Sequence, residues 1–212
     1  MKNKSSNNFS DGFFITFEGI EGAGKSTLIE FIEKFLLEKG YRVIKTREPG
    51  GTKIGEQIRE ILLNNKNYIE DDAELLLMFA ARAQHIKEVI FPALESKHIV
   101  LCDRFTDASY AYQGGGRGIE VTKIKLLEEL TGDLTPDLTM LLDLDVNVGM
   151  KRTVNRGKTD RFESEDSVFF EKIRECYLEI AEDNPQRFRI INAEKPIESV
   201  KEQAIIILKD YL

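Results

Sequence analysis

At 212 residues the chain has the length of one α/β domain, enough to bury about 70% of its unfolded surface. A net charge of −7 argues against a nonspecific nucleic-acid coat, which needs a broad excess of Lys and Arg, so phosphate binding must come from local clusters. Cys102 and Cys176, with His85 and His98, have neither the spacing of metal ligands nor the makings of a disulfide scaffold or a Ser-His-Asp triad.

Taken in chain order, residues 1–11 are polar and lack the apolar core of a signal peptide, and no apolar run approaches a membrane span. They predict a disordered tail on a cytoplasmic protein without membrane or nucleic-acid partners, with residues 12–212 forming a single domain. Phe13–Phe17 reads as a short buried strand, and Leu28, Ile29, Phe31, Ile32, Phe35 and Leu36 recur at helical spacing. Between them lies Gly19-Ile20-Glu21-Gly22-Ala23-Gly24-Lys25-Ser26-Thr27, which fits G-x-x-x-x-G-K-[ST] in the strand, loop, helix setting that the motif requires. Its glycines let successive backbone N–H groups curl around an anion at the positive end of the helix that starts near Ser26. Lys25 supplies a mobile charge for the β- and γ-phosphates, and the Ser26 hydroxyl suits Mg²⁺.

Gly40 makes a helix C-cap, Tyr41–Thr46 a second strand, and Arg47–Thr52 a turn. Helical patterns follow at Ile54–Leu63 and Ala73–Glu88. Ile99–Asp103 is an apolar strand ending in a carboxylate, the Walker B arrangement, with Asp103 either a Mg²⁺ ligand or a helix cap. Leu138–Leu144 and Arg189–Asn192 are further strands, and a terminal helix runs to Leu212. The alternation predicts an α/β fold, a P-loop NTPase three-layer α/β/α sandwich with a parallel sheet of about five strands that binds ligands at its carboxyl ends. Residues 152–166 are basic, polar and interrupted by glycine, which reads as a mobile lid carrying Arg152, Arg156 and Arg161.

Lys25, Ser26 and Asp103 account for ATP and Mg²⁺, but a motor, a GTPase and a small-molecule kinase all show them. The surplus of arginines, Arg59, Arg82 and Arg104 in three segments and three more in the lid, fits two phosphorylated ligands and a transferring phosphoryl group. No residue stands out as a general base, and a phosphate acceptor needs none, because its oxygen is already nucleophilic at neutral pH. These features favour a nucleoside monophosphate kinase. A nucleotide-binding switch without an acceptor is the reading from a different class.

Three segments resemble the signatures of bacterial thymidylate kinase: Phe17–Ser26, Thr46–Thr52 and Asp103–Gly114, within a resemblance that extends from Phe13 to Leu212. It implies Mg²⁺-dependent phosphoryl transfer from ATP to dTMP, giving dTDP, by a homodimer. It implies further that Glu21 faces the deoxyribose 3′-hydroxyl, that Arg104 and Arg59 hold the acceptor phosphate, and that Arg82, Ser109 and Gln113 read thymine, with Arg82 contacting either the base carbonyl or the acceptor phosphate. Tyr112 either crowds the 2′ position or packs in the core. Arg156 and Arg161 are implied as catalytic, closing over ATP beside Lys25 and Arg104, and Glu48 as a weaker Mg²⁺ candidate. Where the family stacks an aromatic ring on thymine this chain has Met78, with Phe79 about 100° around the helix.

Overall fold

The computed structural model describes residues 12–154 and 160–211. Arg156, the rest of residues 155–159, the tail 1–11 and Leu212 lie outside the described residues.

β1 (Phe13–Glu18) alternates its side chains between two buried faces, with Phe13, Ile15 and Phe17 in one apolar cluster and Phe14 in another. A strand buried on both sides has no polar face to show, hence its near-continuous apolar run. Five strands, β1, β2 (Val43–Arg47), β3 (Ile99–Asp103), β4 (Leu138–Asp143) and β5 (Phe188–Asn192), pair in parallel in the order β2-β3-β1-β4-β5. The sheet is therefore the predicted one, each strand within two residues of its expected ends.

Helices follow the strands as α1 (Lys25–Glu38), α2 (Lys53–Leu63), α3 (Asp71–His85), α4 (Phe91–Glu95), α5 (Thr106–Ser109), α6 (Val121–Thr131), α7 (Val146–Val154), α8 (Ser167–Asp183) and α9 (Ile197–Lys209). α1 and α9 cover one face through Leu28, Ile32, Leu36, Ala204 and Leu208. α8 covers the other through Phe169, Phe170, Ile173 and Tyr177. Helix, sheet and helix make the expected three layers.

Two stretches wind more widely than an α-helix. The pattern beyond His85 continues, but Ile86–Ile90 widens to a π-helical segment before α4, and Tyr110–Gly116 widens α5 likewise. π-segments of this kind cluster at functional sites. The predicted lid also begins too early, because Arg152 and Thr153 belong to α7, and Thr153 is buried.

α7 packs on the glycine loop backbone to backbone. A Cβ at Gly22 would meet the Gly149 carbonyl at 2.4 Å, and one at Gly149 would meet the Glu21 carbonyl at 2.7 Å, so neither position admits a side chain.

Candidate functional site

Parallel register lines up the carboxyl ends of three strands, with Asp103 of β3 opposite both Phe17 of β1 and Arg47 of β2. The sheet order reverses beside β1, and a cavity of about 390 Å³ opens there. It is lined by Glu21, Gly22, Gly24, Lys25, Ser26 and Thr27 from the loop, and by Arg59, Met78, Arg82, Asp103, Arg104, Ser109, Tyr112 and Gln113 from later segments. Gly19, Ile20, Ala23 and Arg161, also expected at the site, are not in the lining. Gly19 and Ile20 instead act through their carbonyls, and Ala23 packs in the core beneath the loop.

On the loop side, Gly24 caps α1 in the left-handed conformation, with φ 92°, and turns the helix N-terminus toward the cavity. Lys25 donates to the carbonyls of Gly19 at 2.8 Å and Ile20 at 3.0 Å. Burial, then the Arg104 charge, pulls its ammonium down to about 8. Ser26 Oγ donates to Asp103 Oδ2 at 3.4 Å, while Asp103 Oδ1 is buried without a hydrogen-bond partner. A buried carboxylate oxygen left unpaired, next to a hydroxyl, suits a hydrated divalent cation. No cluster of three or more acidic, His or Cys side chains with metal-site geometry occurs among the described residues, so any such ion would keep most of its ligands as water or phosphate.

The far side is built from ion pairs. Glu21 turns out of the loop to accept from Arg104 Nη2 at 2.8 Å and from the Tyr112 hydroxyl at 2.7 and 2.8 Å. Arg104 stacks on the Tyr112 ring, with 4.7 Å between its guanidinium carbon and the ring centroid. Its backbone takes φ 67°, a conformation that a residue with a Cβ adopts at a cost. Glu18 supplies the compensation: Oε1 accepts the next backbone N–H, Phe105, at 2.7 Å, and Oε2 accepts the Tyr177 hydroxyl at 2.6 Å. Burial and the nearby Asp107 push the Glu18 carboxyl up to about 8. Only its position, an acid closing an apolar strand, marked Glu18 in the sequence.

Arg82 is buried, and three of its five N–H groups are engaged within the protein. Its Nε donates to Glu48 at 2.7 Å, Nη1 to Ser109 Oγ at 3.0 Å and Nη2 to the Phe105 carbonyl at 3.1 Å. Glu48 also meets His85 Nδ1 at 2.9 Å, so its carboxylate is committed to Arg82 and His85. Phe79 stacks on the guanidinium at 4.5 Å, which leaves Met78 as the α3 side chain of that turn facing the cavity. Arg59 donates to the Pro49 carbonyl at 2.9 Å.

Arg161 stands apart from expectation. Its Nε donates to the Leu62 carbonyl at 2.8 Å and its Nη2 to Glu74 at 2.6 Å, which turns it into the protein instead of toward the loop. The reason is electrostatic: Glu74 is fully buried on α3, and a buried carboxylate must be paired. Gln113 and Arg117 donate to the same carboxylate. Glu74 had no signal in the sequence beyond a charge ahead of the apolar run Leu75–Leu77. Arg152, by contrast, does line the cavity and reaches the carbonyls of Gly22 and Ala193 at 3.3 Å. Phe162 and Asp160 join the lining, also without a sequence signal.

A family model described as thymidylate kinase matches residues 17–204. Over 192 residues the chain is 54% identical to the thymidylate kinase of Pseudomonas entomophila (strain L48), covering 90% of this chain and 91% of that one. It is 50% identical over 200 residues to the thymidylate kinase of Ruthia magnifica subsp. Calyptogena magnifica, covering 93% and 98%. The crystal structure of thymidylate kinase from Ehrlichia chaffeensis superposes with a TM-score of 0.77 at 34% identity, covering 93% of this chain and 99% of that one.

Proposed function

The chain belongs to the thymidylate kinase family, and from that premise we propose how its cavity carries phosphoryl transfer from ATP to dTMP. The observation that carries the reading is a single cavity holding two cationic centres, Lys25 on the glycine loop and Arg104 paired with Glu21 across from it. A donor phosphate on one and an acceptor phosphate on the other would face each other in line.

On the donor side, residues 19–27 cradle the ATP phosphates with backbone N–H groups, and Lys25 leaves its two carbonyls to meet the β- and γ-oxygens. Anionic phosphate restores to its ammonium the proton affinity that burial removes. Ser26 and the unpaired Asp103 would hold Mg²⁺, which when bound neutralises charge on the transferring phosphoryl. On the acceptor side, Arg104 and Arg59 hold the dTMP phosphate, Glu21 accepts from the 3′-hydroxyl, and Tyr112 closes the space beside it. Arg82, Ser109 and Gln113 read the base, with Met78 beneath it offering a polarizable sulfur. Among the described residues of 152–166, Arg152 is the cation that supports the ATP side, since it lines the cavity beside the loop. Arg161, held on Glu74, supports the acceptor wall.

We read the chain as a single-domain cytoplasmic enzyme and as a homodimer. No helix among the described residues is long and apolar enough to cross a membrane. Leu76 of α3 and Leu126 and Leu130 of α6 are exposed apolar side chains that a second copy would cover.

The test is ADP release measured with dTMP, dUMP, dCMP, AMP, GMP or UMP as acceptor, and with none. Release should depend on acceptor and be fastest with dTMP. Equal rates without acceptor, or a preference for a base other than thymine, would overturn the reading.

A further inference from the structure

Gln113 lines the cavity with Arg82 and Ser109, yet half of its amide is already spoken for. Its Nε2 donates at 2.8 Å to Oε1 of Glu74, and both residues are buried, at 1% and 0% exposure. A carboxylate only accepts hydrogen bonds, so the amide cannot turn over without setting two acceptors against each other in a buried place. The other Glu74 oxygen, Oε2, accepts Arg161 Nη2 at 2.6 Å and Arg117 Nη2 at 3.4 Å, which stops the carboxylate from rotating away. With Nε2 turned to Glu74, the carbonyl oxygen, an acceptor, is the amide atom directed away from that carboxylate and toward a ligand.

Resting on the dTMP reading above, we infer that Glu74 is a positioning residue that sets base selectivity by fixing the Gln113 amide. Thymine carries a donor, N3–H, beside the O4 acceptor. Cytosine carries an acceptor at N3 beside the N4 amine donor. A fixed Gln113 carbonyl matches thymine N3–H and opposes the cytosine N3 lone pair. Arg82, a donor only, matches O4 and opposes the N4 amine. Glu74 never touches the nucleotide, but it decides which face of the amide the nucleotide meets. The same carboxylate ties Arg161 to the base-reading wall.

Glu74→Gln tests this with almost no change of shape. The two guanidiniums hold the carbonyl oxygen of the introduced amide, so its NH₂ faces Gln113, whose own amide then turns over and presents its NH₂ to the cavity. The ratio of kcat/KM for dTMP to that for dCMP should fall by about 10-fold or more, through a higher KM for dTMP and a lower one for dCMP, with the KM for ATP unchanged. Arg117→Met removes a different bond to Glu74 and should keep the dTMP preference. If Glu74→Gln melts too low to assay, Glu74→Gln combined with Arg161→Met removes the uncompensated guanidinium and should show the same loss of preference. A folded Glu74→Gln variant that keeps its dTMP to dCMP ratio within about twofold would sink the inference, as would an equal loss in Arg117→Met, which would indicate general loosening. Wild-type enzyme in the same assay separates the two claims: failure to prefer dTMP there defeats the functional reading, whereas a wild-type preference that survives in Glu74→Gln defeats the positioning role alone.

Discussion

The two halves of the cavity are made in different ways. The half proposed for the donor is a contiguous loop of nine residues, 19–27, that offers backbone N–H groups, a helix N-terminus and one lysine. The acceptor half draws on α2, α3, β3, α5 and the segment after it, and its arginines are aimed by buried glutamates: Glu48 on Arg82, Glu74 on Arg161 and Gln113, Glu18 on the backbone beside Arg104. A site made of local backbone is specified by a few glycines. A site made of side chains from distant segments needs each cation fixed by a partner, because a long side chain held in one rotamer loses entropy that only a strong pair offsets. On the proposed assignment, donor recognition rests on local backbone and acceptor recognition on buried pairs.

The comparison makes its strongest demand at Lys25. Lys25→Ala should lower kcat by about 10²-fold or more while leaving dTMP affinity near wild type, as read by steady-state rates and dTMP titration calorimetry. Equal loss of dTMP binding would mean that the two halves do not act separately.

Arg161→Met comes next and works on the other half. It leaves Glu74 with a weaker set of donors, so the KM for dTMP should rise about 10-fold and the melting temperature fall by several degrees, with kcat changed less than KM. A drop in kcat at unchanged KM and melting temperature would return Arg161 to the transferring phosphoryl.

Smallest is a pH effect on the Glu18 brace. Its carboxyl lies at about 8 in the folded chain against 4.5 ordinarily, so the folded chain keeps a proton that the unfolded chain has released. Stability from this group is accordingly present below about 4.5 and is lost as pH rises toward 8. Glu18→Gln, which does not titrate, should flatten that slope, with melts at pH 5 and pH 8 differing by several degrees less than in wild type. An unchanged slope would assign the titration to another group.

Hydrophobic period, glycine spacing and the strand-ending Asp103 determined by themselves the α/β class, the five parallel strands, the nucleotide loop and the family resemblance. These depend on interactions close in sequence, between strand and turn or along one helix, or on burial that shows as unbroken apolar runs. Tertiary structure alone decided which arginines face the cavity. Arg152 and Arg161 sit in the same basic stretch with the same chemistry, yet one lines the cavity and the other turns to a glutamate 87 residues away in sequence. Glu18 and Glu74 read as ordinary acids, and Glu48 as a weaker Mg²⁺ candidate, until folding buries them. Once out of water, each must find a donor, and that requirement orients the acceptor half of the site.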